Sequence, residues 1–112
     1  MTDTPTPPAM TPEPFNNGLS PAQAERLAML AEECGEVVQV IGKILRHGYA
    51  NFHPDRPHIF NSEMLAHELT DLFAVANMIH ARDRVHFYGT DELDAAWRKK
   101  LRFAHHQEEF LP

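Results

Sequence analysis

Cysteine is almost missing from this chain: Cys34 is the only one. A lone cysteine excludes an internal disulfide and suits a reducing compartment. Long apolar runs are missing too. None approaches the roughly 20 residues of a membrane-spanning helix, so no membrane partner is expected. The first residues lack the basic flank and apolar stretch of a secretory signal, and a cytoplasmic protein is expected. Positive charge is not in excess, since 10 Lys and Arg stand against 16 Asp and Glu, a net charge of −6. That balance argues against a nucleic acid polymer as partner. A small polyphosphate is still compatible with it, because a bound divalent metal would reverse the local sign. There is no glycine-rich phosphate loop, no Ser/His/Asp pattern, no internal repeat and no strand-like alternation. What is left is 112 residues, 43% of them apolar, which is enough for one small domain and a thin core.

Proline is concentrated at the start. Pro5, Pro7, Pro8, Pro12 and Pro14 lie among threonines, and residues 1–18 read as a disordered tail without a catalytic role. Residues 19–106 read as one helical domain and 107–112 as a C-terminal tail. Ser20-Pro21-Ala22-Gln23 is a helix start: serine can cap, proline suits the first helical position, and glutamine can complete a capping box. Leu27, Leu30, Cys34, Val37, Val38, Ile41, Ile44 and Leu45 then recur at steps of three and four, the period of an amphipathic helix. Arg46-His47-Gly48 is a basic last turn with a glycine stop.

Residues 48–60 carry two prolines and no helical period. They are either a crossover between helices or a loop that covers a ligand. Asn61 or Ser62 is expected to cap a second helix reaching about Arg82. Leu65, Leu69, Leu72, Phe73, Val75, Ala76 and Ile79 make that helix apolar over most of its circumference, as in a buried helix. Three helices can scarcely cover it, so self-association is expected. Asp83 to Gly89 reads as a turn. Thr90 is expected to cap a third helix, with Asp91 and Glu92 in its first turn. It continues through Leu93, Ala96, Trp97, Leu101 and Ala104 into a polar tail. The fold expected is all-α, an antiparallel helical bundle completed by oligomerisation.

The chemistry is carried by acids. Glu32-Glu33-Cys34-Gly35-Glu36 lies mid-way along the first helix and Glu68-Leu69-Thr70-Asp71 mid-way along the second. Residues three apart are neighbours on a helix surface, so each pair can converge on one point. At about 100° per residue, the apolar side chains from Ile44 round to Val38 fill one arc. Glu33 falls at the edge of that arc, with Glu36 and Glu32 just beyond. On the second helix, Leu72, Leu65, Ala76 and Leu69 form the stripe, Glu68 borders it and Asp71 follows. Packing the stripes together would face Glu33 and Glu36 towards Glu68 and Asp71. Half-buried acids without an adjacent base need a counter-charge. An all-oxygen set favours a hard cation, Mg²⁺ with Mn²⁺ as its substitute. Such a site suits metal-assisted attack of water on a phosphoanhydride. The competing reading is a solvated acidic face answered by lysines.

Lys43 falls on the same side of the first helix as Glu36, and Arg46 is a weaker candidate for the same role. Lys100 projects on the apolar side of the third helix. It either snorkels to solvent or neutralises the acids or a phosphate. Cys34 reads as a small core residue and His67 as a packing or surface histidine. An oxygen-activating di-iron bundle would need Glu-x-x-His pairs, and none occurs.

With these residues in place, the chain resembles the MazG-like all-α nucleoside triphosphate pyrophosphohydrolases. Glu33-Cys34-Gly35-Glu36 and Glu68-Leu69-Thr70-Asp71 match the family's Glu-x-x-Glu and Glu-x-x-Asp, and Glu32 completes its frequent double glutamate. The likeness covers about residues 20–105. The run from Leu30 to Gly48 looks like the short phage and bacterial members. The interval from Glu36 to Glu68 is longer than in many relatives. The resemblance implies Mg²⁺-dependent hydrolysis between the α- and β-phosphates of a (deoxy)nucleoside triphosphate, releasing monophosphate and pyrophosphate. It implies a homodimer or homotetramer, metal ligands at Glu33, Glu36, Glu68 and Asp71, and catalytic roles for Glu32 and Glu33. Glu32 would assist the metal or orient the attacking water, and Lys43, Arg46 and Lys100 would contact phosphate. The expected role is house-cleaning of nucleotide pools. The alternative is a non-catalytic helical module that binds metal, nucleotide or a partner without turnover.

Overall fold

The structure, a computed structural model, describes residues 16–87 and 89–110. The first fifteen residues of the expected tail lie outside the described residues, as do 111–112. Among the described residues there are three α-helices, one short 3₁₀ turn and no strand, so the fold is all-α.

Helix α1 spans Pro21–His47. Its start is the capping box expected from the pattern: Ser20 Oγ accepts from the Gln23 N–H at 3.1 Å, and Gln23 Oε1 accepts from the Ser20 N–H at 2.9 Å. Two of the donors that a helix start leaves orphaned are thereby satisfied. Gly48 closes the other end at φ 85°, donating its N–H to Ile44 O. This backbone conformation is open to glycine and costly for most other residues.

Helix α2 spans Asn61–Arg82, and its cap differs from expectation. Neither Asn61 nor Ser62 is the N-cap; Phe60 is, with no side-chain hydrogen bond. The reason is the preceding loop, which folds back on itself. Phe52 and Phe60 form an isolated antiparallel bridge. The Asn61 N–H donates to Asn51 O, and the Ser62 N–H to Tyr49 O. Loop carbonyls thus do what a capping side chain would do. The Asn61 amide is left to donate to Gly48 O at 3.0 Å, tying the start of α2 to the end of α1.

At the far end of this pair, Arg26 grips Asp83 through two nitrogens, at 2.7 and 3.2 Å. The clamps Arg26–Asp83 and Gly48–Asn61 join opposite ends, so α1 and α2 run antiparallel. They form the packed unit, with Val40, Val75 and Ile79 as its buried apolar residues.

The rotation of the two helices corrects the expected packing. The side of α1 turned to α2 carries Arg26, Leu30, Glu33, Val37, Val40 and Ile44, all buried or half-buried. Much of the apolar stripe faces elsewhere. Leu27, Ala31, Cys34, Val38, Ile41 and Leu45 follow a regular three–four spacing and are all exposed, Val38 at 66% and Leu45 at 82%. Cys34 is therefore not a core residue within one chain. On α2, Leu65, Leu69, Leu72 and Ala76 are half-buried, while Phe73 is 58% exposed.

Helix α3 spans Thr90–Arg102. Gly89, not Thr90, is its N-cap, and Thr90 already lies within the helix without a capping bond. Asp91 and Glu92 occupy the first turn, where the helix dipole favours acids. The helix stops at Arg102, short of Ala104, because the Phe103 and Ala104 N–H groups turn back to Lys100 and Leu101 carbonyls. A 3₁₀ turn at Glu108–Phe110 then brings Phe110 edge-on to Trp97, ring centroids 5.5 Å apart. The tail expected to be polar thus returns an aromatic side chain to the helix. No residue of α3 is buried, and α3 packs extensively on neither α1 nor α2.

Candidate metal centre

Three carboxylates meet where α1 and α2 touch. One oxygen each from Glu33, Glu36 and Glu68 lies within 4.8 Å of the others. Glu33 and Glu36 are one turn apart on α1, and Glu68 reaches them from α2. Instead of bordering the contact, Glu33 and Glu68 lie within it. Glu33 has Leu30, Val37 and Val40 on its side of α1, and Glu68 has Leu65, Leu72 and Val75 on its side of α2.

Two oxygens at this site have no protein partner. Glu33 Oε2 and Glu68 Oε2 are both shielded from solvent and accept no hydrogen bond. A buried acceptor left in this way is costly, and more so if charged. Lysines do not answer these acids. Among the described residues the only ion pair to any of them is His67 Nε2 to Asp71 Oδ2, at a loose 3.9 Å.

The electrostatics record the crowding. Burial, then the charges of Glu36 and Asp71, hold the Glu33 carboxyl above the usual glutamate range, with Glu32 adding to the shift. Glu68 is raised first by a hydrogen bond with Glu36, then by burial and by the charges of Glu36 and Asp71, with His67 opposing. Two ionised carboxylates cannot donate to one another, so that bond exists only when one of the pair is protonated. The cluster therefore needs either a shared proton or a cation.

The donor set fits a hard divalent cation. It is all oxygen and anionic, as Mg²⁺ or Mn²⁺ prefers. Opposite ligands on Mg²⁺ lie about 4.2 Å apart, twice an Mg–O distance of about 2.1 Å. At most one pair of three ligands can be opposite and the others lie about 3.0 Å apart, so the oxygens of Glu33, Glu36 and Glu68, which lie within 4.8 Å of one another, would draw closer around an ion. Three ligands leave positions for water or substrate oxygen.

The remaining expected site residues lie at varying removes. Asp71 is half-exposed at the rim, close enough to repel Glu33 and Glu68 but outside the triad of converging oxygens. Glu32 is exposed and acts on Glu33 through its charge. Lys43 and Arg46 line a hollow of about 450 Å³ between the last turns of α1 and the 48–60 loop. Lys100 lines a separate hollow of about 330 Å³ on α3, with Trp97, Leu101 and Phe110. The sequence pattern did not single out Phe52, His53 or Arg56, which the loop brings beside Lys43. Their signal was available in the mix of aromatic, imidazole and cationic side chains between Tyr49 and Phe60. No protein-family model, curated protein or solved structure matches the chain.

Proposed function

We propose that this protein is a metal-dependent nucleoside triphosphate pyrophosphohydrolase of the MazG-like kind, acting in the cytoplasm on the nucleotide pool. The observation that carries the reading is the pair of buried, unpartnered carboxylate oxygens on Glu33 and Glu68, with Glu36 beside them, in the middle of a helix–helix contact. Of the two ways to relieve such a cluster, a shared proton or a cation, a cation also gives the acids a function. Glu33, Glu36 and Glu68 would hold Mg²⁺ or Mn²⁺, and Asp71 would join them from the rim. The ion would neutralise phosphate charge and polarise a phosphoryl oxygen.

The chain's own residues position the substrate and the water. Water attacks the α-phosphorus, the bond from that phosphorus to the oxygen bridging to the β-phosphorus breaks, and pyrophosphate departs with that oxygen. The products are nucleoside monophosphate and pyrophosphate, with the water proton passed to a base or to solvent. Glu32, exposed beside Glu33, would orient the water or accept its proton. Lys43 and Arg46 would meet phosphate charge on the side of α1 that follows Glu36. Self-association belongs to the same proposal: a second copy would cover the stripe from Leu27 to Leu45 in a homodimer or homotetramer.

The test is incubation with a nucleoside triphosphate panel and Mg²⁺, followed by product separation. Monophosphate with pyrophosphate is the expected outcome. Diphosphate with orthophosphate, or no turnover with either Mg²⁺ or Mn²⁺, would overturn the reading.

A further inference from the structure

The 48–60 loop is a built structure, not a slack crossover. Its ends are tied by the Phe52–Phe60 bridge and by hydrogen bonds from Asn61 to Gly48 and Asn51. Inside it the Arg56 N–H donates to His53 O at 2.8 Å, and His53 Nδ1 accepts from the Asp55 N–H. The loop and the end of α1 enclose two adjoining hollows, of about 450 and 330 Å³, that share Lys43 and His53. Preformed hollows with a few polar groups are where ligands bind with little ordering cost.

Their lining has a direction. Met64 lines the smaller hollow and stands one turn, about 6 Å, before Glu68 on α2. Lys43 follows Glu36 by two turns, about 10 Å along α1. Moving away from the acids, Lys43 and Met64 come first. His53 and Arg56 follow, and Arg46 and Phe52 line the larger hollow. Lys43, Arg46 and Arg56 form no ion pair among the described residues; Asp55, the one carboxylate in the lining of the smaller hollow, lies 3.6 Å from His53 instead. Phe52 tilts against Phe60 at 6.2 Å yet stays 41% exposed, leaving part of its ring free.

The geometry points to the 48–60 loop as the part of the site that holds the base end of the nucleotide. The base stacks on Phe52 and the sugar leads back towards the acids, with Lys43 and Arg46 beside the α-phosphate, where the phosphate chain begins. This inference rests on the proposed function and adds to it the residue that recognises a base. An aromatic stacking face accepts any base through its π-surface, so Phe52 contributes affinity, and the neighbouring polar groups discriminate.

Calorimetric titration of the full chain with Mg²⁺ tests it, using non-hydrolysable α,β-imido dCTP, α,β-imido dATP and inorganic tripolyphosphate. Phe52→Ala is expected to weaken both nucleotides about tenfold or more, the loss of one base–aromatic stack. It should leave tripolyphosphate binding unchanged, and Phe52→Tyr should keep the nucleotide affinity. Lys43→Ala should weaken all three ligands. If Phe52→Ala binds nucleotides as the parent does, or loses tripolyphosphate in equal measure, the loop does not hold the base, and the acid site stands without it. If the parent protein binds neither nucleotide nor tripolyphosphate, both this inference and the proposed function fall.

Discussion

Glu33 and Glu68 set the behaviour of the site because each keeps one oxygen away from water and from any donor. Their carboxyls lie above the usual glutamate value of 4.5. A carboxyl raised on folding adds stability below its unfolded value and loses it as pH rises through the folded one. The metal-free protein should therefore gain thermal stability as pH is lowered from 7.5 towards 5, as seen in melting scans with a chelator present. Magnesium should reverse that order. Its melting shift should be large at pH 7.5 and shrink towards pH 5, since protons compete for the same oxygens. Glu68→Gln makes the sharpest contrast. Without metal it should melt above the parent at neutral pH, because one repelling charge is gone, and it should lose the Mg²⁺ shift and turnover. A parent protein whose melting ignores Mg²⁺ at pH 7.5 would remove the metal site.

At the scale of elements, α1 and α2 depend on their ends. Ser20→Ala removes the side-chain acceptor of the capping box and should cost about 1 kcal/mol in denaturant unfolding. Arg26→Ala should cost more, about 3 kcal/mol, because it strands Asp83 where its side chain is only 11% exposed. The hydrogen bond from Arg26 holds the Asp83 carboxyl below its usual 3.8. A carboxyl lowered on folding adds stability above its unfolded value and loses it as pH falls through the folded one. Asp83→Asn should therefore flatten the fall in stability below about pH 4. The limits of α1 were legible from Ser20, Pro21, Gln23 and Gly48, each of which acts on backbone within a few residues. The cap of α2 was not legible. It depends on loop carbonyls, brought back by the pairing of Phe52 with Phe60, and no local pattern encodes a contact across eight residues.

Across the whole molecule, one chain leaves too much apolar surface uncovered. Among the described residues three apolar ones are buried, while Leu27, Cys34, Val38, Ile41 and Leu45 form an exposed seam along α1. Seams with this three–four spacing are covered by another helix in bundles. Sedimentation should show a dimer or tetramer at micromolar concentration. Val38→Asp combined with Ile41→Asp should shift it to monomer and lower its melting temperature. In the assembled parent Cys34 should resist a thiol reagent, and in the double variant it should react readily. A parent protein that sediments as a monomer with reactive Cys34 would overturn the assembly.

The sequence by itself determined the helices, their approximate limits and the three-residue spacing of the acids, because helical hydrogen bonding and the 100° step are local properties. It also showed that two matched acid pairs lie on consecutive helices. Only the tertiary structure decided which faces of α1 and α2 meet. Each helix is apolar over a wide arc, so several rotations would bury similar area. The Arg26–Asp83 and Asn61–Gly48 ties at opposite ends accompany the rotation seen. That rotation moves Glu33 and Glu68 from the edge of the contact into it. It also turns the Cys34 face of α1 outward, and both results depend on residues far apart in the chain.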